Sequence, residues 1–194
     1  EIMLQKVNKT IRYNEGIMKK YLLANEGLTK LNDILRIHEN DENLDVKYLS
    51  TLSRQVQAVQ SCIYSVDHAI QKLFVTATYA GNKEKSKHAM FSFDECLPGS
   101  CAVTSEIQMY QNVTDDFYTF SSGLGNSYAP HLICVPGKYQ NNCIVVIEIA
   151  TLYALDQVEM EFVLKAADML AFSKISKKSN TTVEDIFYKY QEGL

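Results

Sequence analysis

The spacing of apolar residues changes twice along the chain, and these changes limit the possible folds more than any other feature. Up to about residue 59, apolar residues recur every three or four positions, as on one face of a helix. In "SCIYSVD" (61–67) and "KLFVTATYA" (72–80) they recur at every second position, which is the spacing of a strand. The helical spacing returns near residue 156. Helices followed by a run of strands and a closing helix are typical of the α+β class.

Further strand patterns follow, and a short helix interrupts them. The strand segments are 88–94, 107–112, 131–136 and 141–151, and the helix is "LPGSCAVTSE" (97–106). Because 141–151 is rich in β-branched residues and nearly continuous, we expect it at the centre of the sheet. Alternation in 72–80 places four residues on one face: Leu73, Val75, Ala77 and Tyr79. The sequence predicts about six mostly antiparallel strands with helices on one face.

The first helix, 2–37, carries apolar residues at heptad spacing. They are Leu4, Val7, Ile11, Met18, Tyr21, Leu28 and Leu35, and the series is interrupted by Asn14, Asn25 and Asn32. Two interpretations of this seam remain open. Either the helix packs on its own domain, or it pairs in parallel with a second chain, with the asparagines fixing the register.

The C-terminal region is predicted as two helices joined by a polar linker. In the first helix, about 156–174, Asp156 and Glu159 have the spacing of a capping box. The linker contains "SKKSN", and "TTVEDIFYKYQEGL" then forms an amphipathic helix. The chain is thus divided into a signalling and dimerisation helix (1–38), a central domain (39–174), and a linker with a C-terminal helix (175–194).

The net charge and the cysteine content limit which binding partners the protein can have and in which cellular compartment it is expected. The net charge of −4 argues against nucleic acid or an anionic membrane as the main partner, because both require a basic surface. Five cysteines without a CxxC pair favour reduced thiols in the cytoplasm over a disulfide framework. Because the chain starts at Glu1 directly in a helical pattern, we expect a piece of a longer protein, which carries the output module or a membrane segment. This piece itself is expected to make no membrane contact.

Several short motifs in a fixed order carry a resemblance to a known family. They are "NEGLTKLNDILR" (25–36), "CIYSVD" (62–67), "LFVTATYA" (73–80), "LPGSCA" (97–102), "SSGLGNSYAP" (121–130), "LICVP" (132–136) and "VIEIAT" (146–151). Through these motifs, residues 26–172 resemble a GAF domain of the kind found in bacterial sensor histidine kinases and related signalling proteins. The resemblance implies a GAF-like fold and a sensory role in a two-component system.

The chain departs from the family pattern at several glycines. Asp94 and Cys96 stand where the turn before the short helix has glycines, and Val145 replaces the glycine before the "VIEIA" strand. Gly137 stands where an aliphatic residue is usual. Because glycines in turns allow unusual φ angles or close backbone contact, their loss indicates a retained architecture with an altered pocket.

The resemblance also implies a small pocket between the sheet and the loops that cover it. Seven residues are predicted near a ligand there: Tyr79, Phe91, Phe93, Tyr118, Ser122, Leu124 and His131. The segment 121–128, rich in glycine and serine, is predicted to be a flexible lid with Leu124 pointing inward, ahead of a rigid strand. The sequence leaves the ligand, and any cofactor, unidentified.

No signature of a specific chemistry stands out. A bilin requires a cysteine for its thioether bond, often beside a histidine, and no Cys-His pair occurs here. His88 and His131 are interpreted as wall residues of the pocket and not as haem ligands. A reductase of free methionine sulfoxide shares the fold, which draws attention to Cys96, Cys101 and Cys134. We interpret Cys101 and Cys134 as core residues and the mid-strand Glu148 as structural. No catalytic residue and no metal site are predicted.

The sequence therefore predicts a non-catalytic regulatory domain of a larger signalling protein. It binds a small molecule, or relays a signal as a homodimer through its N-terminal helix. The main alternative is an interaction module whose pocket is filled by side chains. A thiol-based methionine sulfoxide reductase is the less favoured alternative.

Overall fold

The computed structural model describes residues 2–39, 41–81, 89–111, 119–122 and 125–192. Its helices are α1 (Ile2–Ile37), α2 (Leu44–Gln55), α3 (Leu97–Thr104) and α4 (Gln157–Glu192). Its strands are β1 (Gln60–Asp67), β2 (Lys72–Tyr79), β3 (Met90–Ser92), β4 (Gln108–Gln111), β5 (Thr119–Ser122), β6 (Gly125–Tyr128), β7 (His131–Tyr139) and β8 (Asn142–Thr151). The predicted α+β class is confirmed.

Six strands form one antiparallel sheet in the order β3-β2-β1-β8-β7-β4. The strands β1 and β8 occupy its centre, as the β-branched sequence of 141–151 predicts. Every residue of β8 from 145 to 151 is buried, which is the environment that such a sequence requires. The sheet therefore holds its most apolar strand where both faces are covered.

Two apolar clusters cover the two faces of this sheet. Helices α1, α2 and α4 pack on the first face, where Leu52, Ile147 and Leu170 are fully buried. The short helix α3 packs on the second face, where it buries Cys101 against a cluster that includes Leu73. The three longer helices thus gather on one face, and the other face remains for a site.

A β-bulge in β2 reverses part of the predicted face assignment. Strand β1 pairs Ile63 with Ala77 and Tyr64 with Val75, so that Thr76 is an extra residue in β2. An extra residue changes the face on which all later side chains lie. The prediction that Leu73, Val75, Ala77 and Tyr79 share a face is therefore wrong. The first two lie on the second face, and the last two lie on the helix-covered first face.

The seam of α1 divides into two halves. Leu28 and Leu35 pack in the first cluster, so the C-terminal half of the helix belongs to the domain. Val7, Ile11 and Met18 are 47%, 48% and 63% exposed. These three side chains of the N-terminal half of the seam are thus largely open to solvent in the single chain.

Helix α4 begins with the predicted capping box and continues through the predicted linker. Asp156 Oδ1 accepts from the Glu159 amide at 2.9 Å, and Glu159 Oε2 accepts from the Asp156 amide at 2.9 Å. The break predicted at 175–180 is wrong, because α4 is one helix to Glu192. The segment has serines and an asparagine but neither glycine nor proline, so nothing in it forces a helix to end. None of the helices in the described ranges is long and apolar enough to cross a membrane.

The predicted lid is a β-ribbon and not an irregular loop. Strands β5 and β6 pair antiparallel, with Thr119 opposite Tyr128 and Ser122 opposite Gly125. Within the described residues they form a separate two-stranded sheet. Leu124, predicted to point inward, lies outside the described residues.

Gly137 allows α4 to lie directly on the sheet. A methyl group added at Gly137 would be 2.3 Å from the carbonyl oxygen of Ala167 in α4. Next to it, the backbone amide of Lys138 donates to Asp168 Oδ1 at 2.8 Å. The departure of Gly137 from the family pattern thus corresponds to close contact between β7 and the α4 backbone.

Candidate functional site

A depression of about 480 Å³ opens on the second face of the sheet. The residues that line it come from β1, β8, β3 and the segment leading into α3. They are Tyr64, Phe91, Asp94, Glu95, Cys96, Leu97, Pro98 and Glu148. Apolar and aromatic side chains thus meet carboxylates in one concave surface, which is the usual composition of a small-molecule site.

A phenol–carboxylate pair provides the least exposed polar group of the depression. Tyr64 Oη donates to Glu148 Oε2 at 2.7 Å, and the two residues are only 7% and 5% exposed. Strand pairing brings them together, because Tyr64 is opposite Val146 and Cys62 is opposite Glu148, which makes the pair diagonal neighbours on one face. A nearly buried carboxylate requires hydrogen bonds that offset its lost hydration, and Tyr64 supplies one.

Two edge-to-face aromatic contacts fix the walls near this pair. The ring of Phe91 lies 6.2 Å from that of Tyr64, at 72°. The ring of Phe93 lies 5.7 Å from that of His68, at 78°, and His68 Nε2 donates to the Cys143 carbonyl oxygen at 2.7 Å. Edge-to-face pairs are favourable beyond their buried area, so both phenylalanines have defined positions.

All five cysteines are free and lie in or against the cluster on the second face. Burial raises the pKa of Cys62, Cys101 and Cys143 to about 12. Burial also raises the pKa of Cys96 and of Cys134. Because the thiolate is the reactive form, these surroundings suppress thiol chemistry. Cys101 and Cys134 are fully buried, as predicted for core residues.

The structure separates the predicted site residues into several groups. Phe91 lines the depression, and Phe93 packs against the same cluster. Tyr79 packs on the first face, because the bulge at Thr76 reverses its direction. His131 is half-buried at the start of β7 and alternates in phase with Ile133, which belongs to the first cluster. For Ser122 only the backbone in β5 is described, and Tyr118 lies outside the described residues, so these two stay predictions.

Neither Tyr64 nor Glu148 was predicted from the sequence as a site residue, although one feature of the sequence pointed to Glu148. Glu148 is the one charged residue in the apolar strand 143–150, and a buried carboxylate needs a partner. That partner, Tyr64, is 84 residues away in sequence and alternates in phase with Cys62. Within the described ranges, no group of three histidine, cysteine or acidic side chains is placed to hold a metal ion.

Solved GAF domains resemble this structure over most of its length. The GAF domain of a phosphoenolpyruvate-protein phosphotransferase from Coxiella burnetii has 17% sequence identity and a TM-score of 0.65, and the match covers 82% of this chain and 98% of that one. The nlh2 GAF domain from A. aeolicus, in an inactive state, has 17% identity and a TM-score of 0.60, with 80% and 99% covered.

An enzyme is among the similar structures as well. A free methionine-R-sulfoxide reductase from Neisseria meningitidis, in complex with its substrate, has 15% identity and a TM-score of 0.64, and the match covers 82% of this chain and 93% of that one. No protein-family model matches the sequence, and no curated protein matches it. At these identities the likeness establishes the fold: the chain has the fold of a GAF domain, as its motifs predicted.

Proposed function

We propose that this chain, whose fold is that of a GAF domain, is a regulatory domain that senses a small molecule in the depression around Tyr64 and Glu148. The observation that carries the proposal is the depression itself, in which aromatic and apolar walls surround one nearly buried carboxylate. Such a surface is suited to binding, since a few placed polar groups orient a ligand and the apolar walls supply affinity.

Strand β8 offers a direct connection between the depression and the long helices. Glu148 points to the depression, while its neighbours Ile147 and Ile149 are buried in the cluster beneath α1, α2 and α4. A ligand that moves β8 therefore acts on the surface against which α4 packs. Helix α4 is also tied to α2 by Lys174 and Asp45, whose Nζ and Oδ2 atoms are 2.6 Å apart.

Helices α1 and α4 run side by side in parallel and supply the output path. Lys20 of α1 pairs with Asp156 at the start of α4, and Gly27, two turns later, faces Phe162. Because the residue numbers of the contacting pairs increase in the same direction along both helices, the two helices are parallel. Both helices also extend past this contact, α1 at its N-terminal end and α4 at its C-terminal end, so a signal can enter through one and leave through the other.

The exposed half of the α1 seam supports a homodimer. Val7, Ile11, Met18 and Leu22 are each at least 47% exposed and recur at helical spacing on one side of α1. A parallel second copy would cover this stripe, with Asn14 in the seam as a register-fixing residue. The interface would then be continuous with the α1–α4 pair.

The proposed domain has no catalysis of its own. The similarity to a methionine sulfoxide reductase and the five cysteines favour the enzyme as a second candidate. However, reductase chemistry starts from a reactive thiolate, and burial raises the pKa of all five thiols. An interaction module without a ligand stays the main alternative to a sensor. Free thiols throughout and the sequence resemblance support a setting in the cytoplasm, in a bacterial two-component system.

Native mass spectrometry of the purified chain tests sensing and assembly together. A bound small molecule adds mass to the native species that is absent from the denatured protein, and a dimer doubles the native mass. Recovery of a ligand-bearing dimer is the expected result. A ligand-free species that also shows no binding in titrations would favour the interaction module. Turnover of free methionine sulfoxide that is lost in Cys101→Ser would establish the enzyme instead.

A further inference from the structure

We propose that a cleft on the helix side of the molecule is a second binding site, for a small uncharged molecule with an apolar ring. The cleft has a volume of about 220 Å³ and lies where α1, the C-terminal end of α2 and the first turns of α4 meet. Every residue that lines it belongs to the described ranges. The site is separate from the depression, and binding to it does not depend on the sensory role proposed for that depression.

Three contacts at successive levels of α1 hold the walls of the cleft apart. At the lowest level α1 lies close to its neighbours, since a methyl group on Gly27 would be 2.8 Å from the Phe162 ring. One turn further, Gln55 Nε2 donates to the Leu23 carbonyl oxygen at 3.1 Å. The ion pair between α1 and the start of α4 forms the third contact. Because α1 is fixed at these levels, it cannot settle onto the floor of the cleft, and the space between the helices is retained.

The floor of the cleft is apolar and almost fully buried. Val56 is fully buried, and Val158 and Phe162 are 8% and 3% exposed. The carbonyl oxygen of Val56 already accepts from the Tyr153 hydroxyl at 3.0 Å. A charged group placed against such a floor would lose its hydration without gaining a partner, which costs free energy. Leu23, which is 46% exposed at the edge of the cleft, adds apolar surface that a ligand would cover.

The volume of the cleft limits the ligand to about one ring. An apolar cavity of about 150 Å³ accepts benzene, whereas sites for drug-sized molecules begin at about 300 Å³. The cleft lies between these two sizes, so it suits a single ring with a short substituent. The exposed Gln57 lies at its rim, and a side-chain amide both donates and accepts hydrogen bonds. One hydroxyl group on the substituent fits this rim, and the bound molecule would contact α1, α2 and α4 together.

Two probes with the same ring and different charge test the proposal. We would titrate the ¹⁵N-labelled chain with benzyl alcohol and with benzoate, and follow the amide shifts by NMR. Benzyl alcohol is expected to shift the amides of 20–24, 55–57 and 158–162 in a saturable way. Benzoate should need at least about a tenfold higher concentration, because its charge loses hydration at the apolar floor. Equal binding of benzoate would contradict the uncharged class of ligand, and the absence of saturable shifts with benzyl alcohol would overturn the site itself.

Variants of α1 then assign the shifts to the cleft. Ala24→Leu fills part of the space, and is expected to weaken the binding of benzyl alcohol by about tenfold or more. Glu26→Leu is the matched control, since it adds the same side chain at an exposed position of α1 outside the cleft, and it should leave the affinity unchanged. If Ala24→Leu displaces α1, Leu23→Ala decides, with binding weaker by about threefold or more through lost apolar contact. Affinities that stay unchanged in Ala24→Leu and Leu23→Ala would overturn the proposal.

Discussion

At the scale of single residues, Gly137 shows how one missing side chain sets the position of a helix. The residue is buried in β7, and a methyl group on it would be 2.3 Å from the Ala167 carbonyl oxygen. Neither the α4 backbone nor the central strand β8 behind it can yield easily, since both belong to the packed core. Gly16 is the opposite case, because a methyl group there has no other atom within 4 Å.

We therefore expect opposite effects from the same substitution at these two glycines. Gly137→Ala should lower the free energy of unfolding by about 1–3 kcal/mol through overpacking. Gly16→Ala should raise it by roughly 0.5–1 kcal/mol, because alanine is the better helix former. Urea unfolding at one protein concentration measures both changes. Equal effects of the two variants would contradict the contact between β7 and α4.

The buried thiols predict how stability depends on alkaline pH. In the unfolded chain they ionise near their ordinary pKa of 9.0, whereas burial raises the pKa of Cys62, Cys101 and Cys143 to about 12. Below pH 9 the thiols are protonated in both the folded and the unfolded state, so their contribution to the free energy of unfolding is fully present. As the pH rises toward 12, the unfolded state loses protons first, so each thiol lowers stability by up to about 1.4 kcal/mol per pH unit.

Comparison with the Cys143→Ala variant separates the effect of thiol ionisation on stability from the effect of tyrosine and lysine titration, which both proteins share. Urea unfolding of both proteins from about pH 8 to about pH 10 should give a shallower loss of stability for Cys143→Ala than for the unmodified chain. Identical slopes would show that Cys143 ionises equally well in the folded state.

At the scale of elements, sequence periodicity located the helices and strands well, because that signal is local. The bulge in β2 was not predictable in the same way. An extra residue such as Thr76 leaves no mark in composition, and its effect depends on how β2 pairs with β1. Because of that single extra residue, Tyr79 lies on the face opposite to the predicted site.

The site was predictable only in part. Phe91 was predicted from the sequence, and Glu148 was noticeable as a carboxylate in an apolar strand. Its partner Tyr64 is 84 residues away in sequence, and only the folded chain places the two side chains together.

The ribbon β5–β6 should be the least stable element of the sheet structure. A two-stranded ribbon is marginal by itself, and among the described residues these strands pair only with each other. Amide hydrogen exchange should therefore be fast in 119–128 and slow in 132–135 of β7. Ile147→Ala, in the central strand, should cost about 2–5 kcal/mol of stability, and Leu124→Ala should cost less. Comparable protection in the ribbon and in β7 would refute the assignment of a lid.

At the scale of the whole molecule, the exposed half of the α1 seam is the surface that a second copy of the chain would cover. We expect a dimer at micromolar concentration by sedimentation. Replacing Ile11 and Met18 together by Asp should give monomers with unchanged circular dichroism, because both residues are exposed in the single chain. Ile37→Asp is the matched control, since Ile37 is 67% exposed at the other end of the same helix. A monomer in the unmodified protein would exclude the proposed interface.

The uninterrupted course of α4 has a consequence for any module fused to its end. Its 36 residues form a rod of about 54 Å in which each residue turns the next by about 100°. Inserting one residue into the rod would thus rotate a fused module by more than a quarter turn, whereas inserting seven would nearly restore its direction. Coupling through this domain should therefore vary with the angular phase of the insertion and not simply with its length.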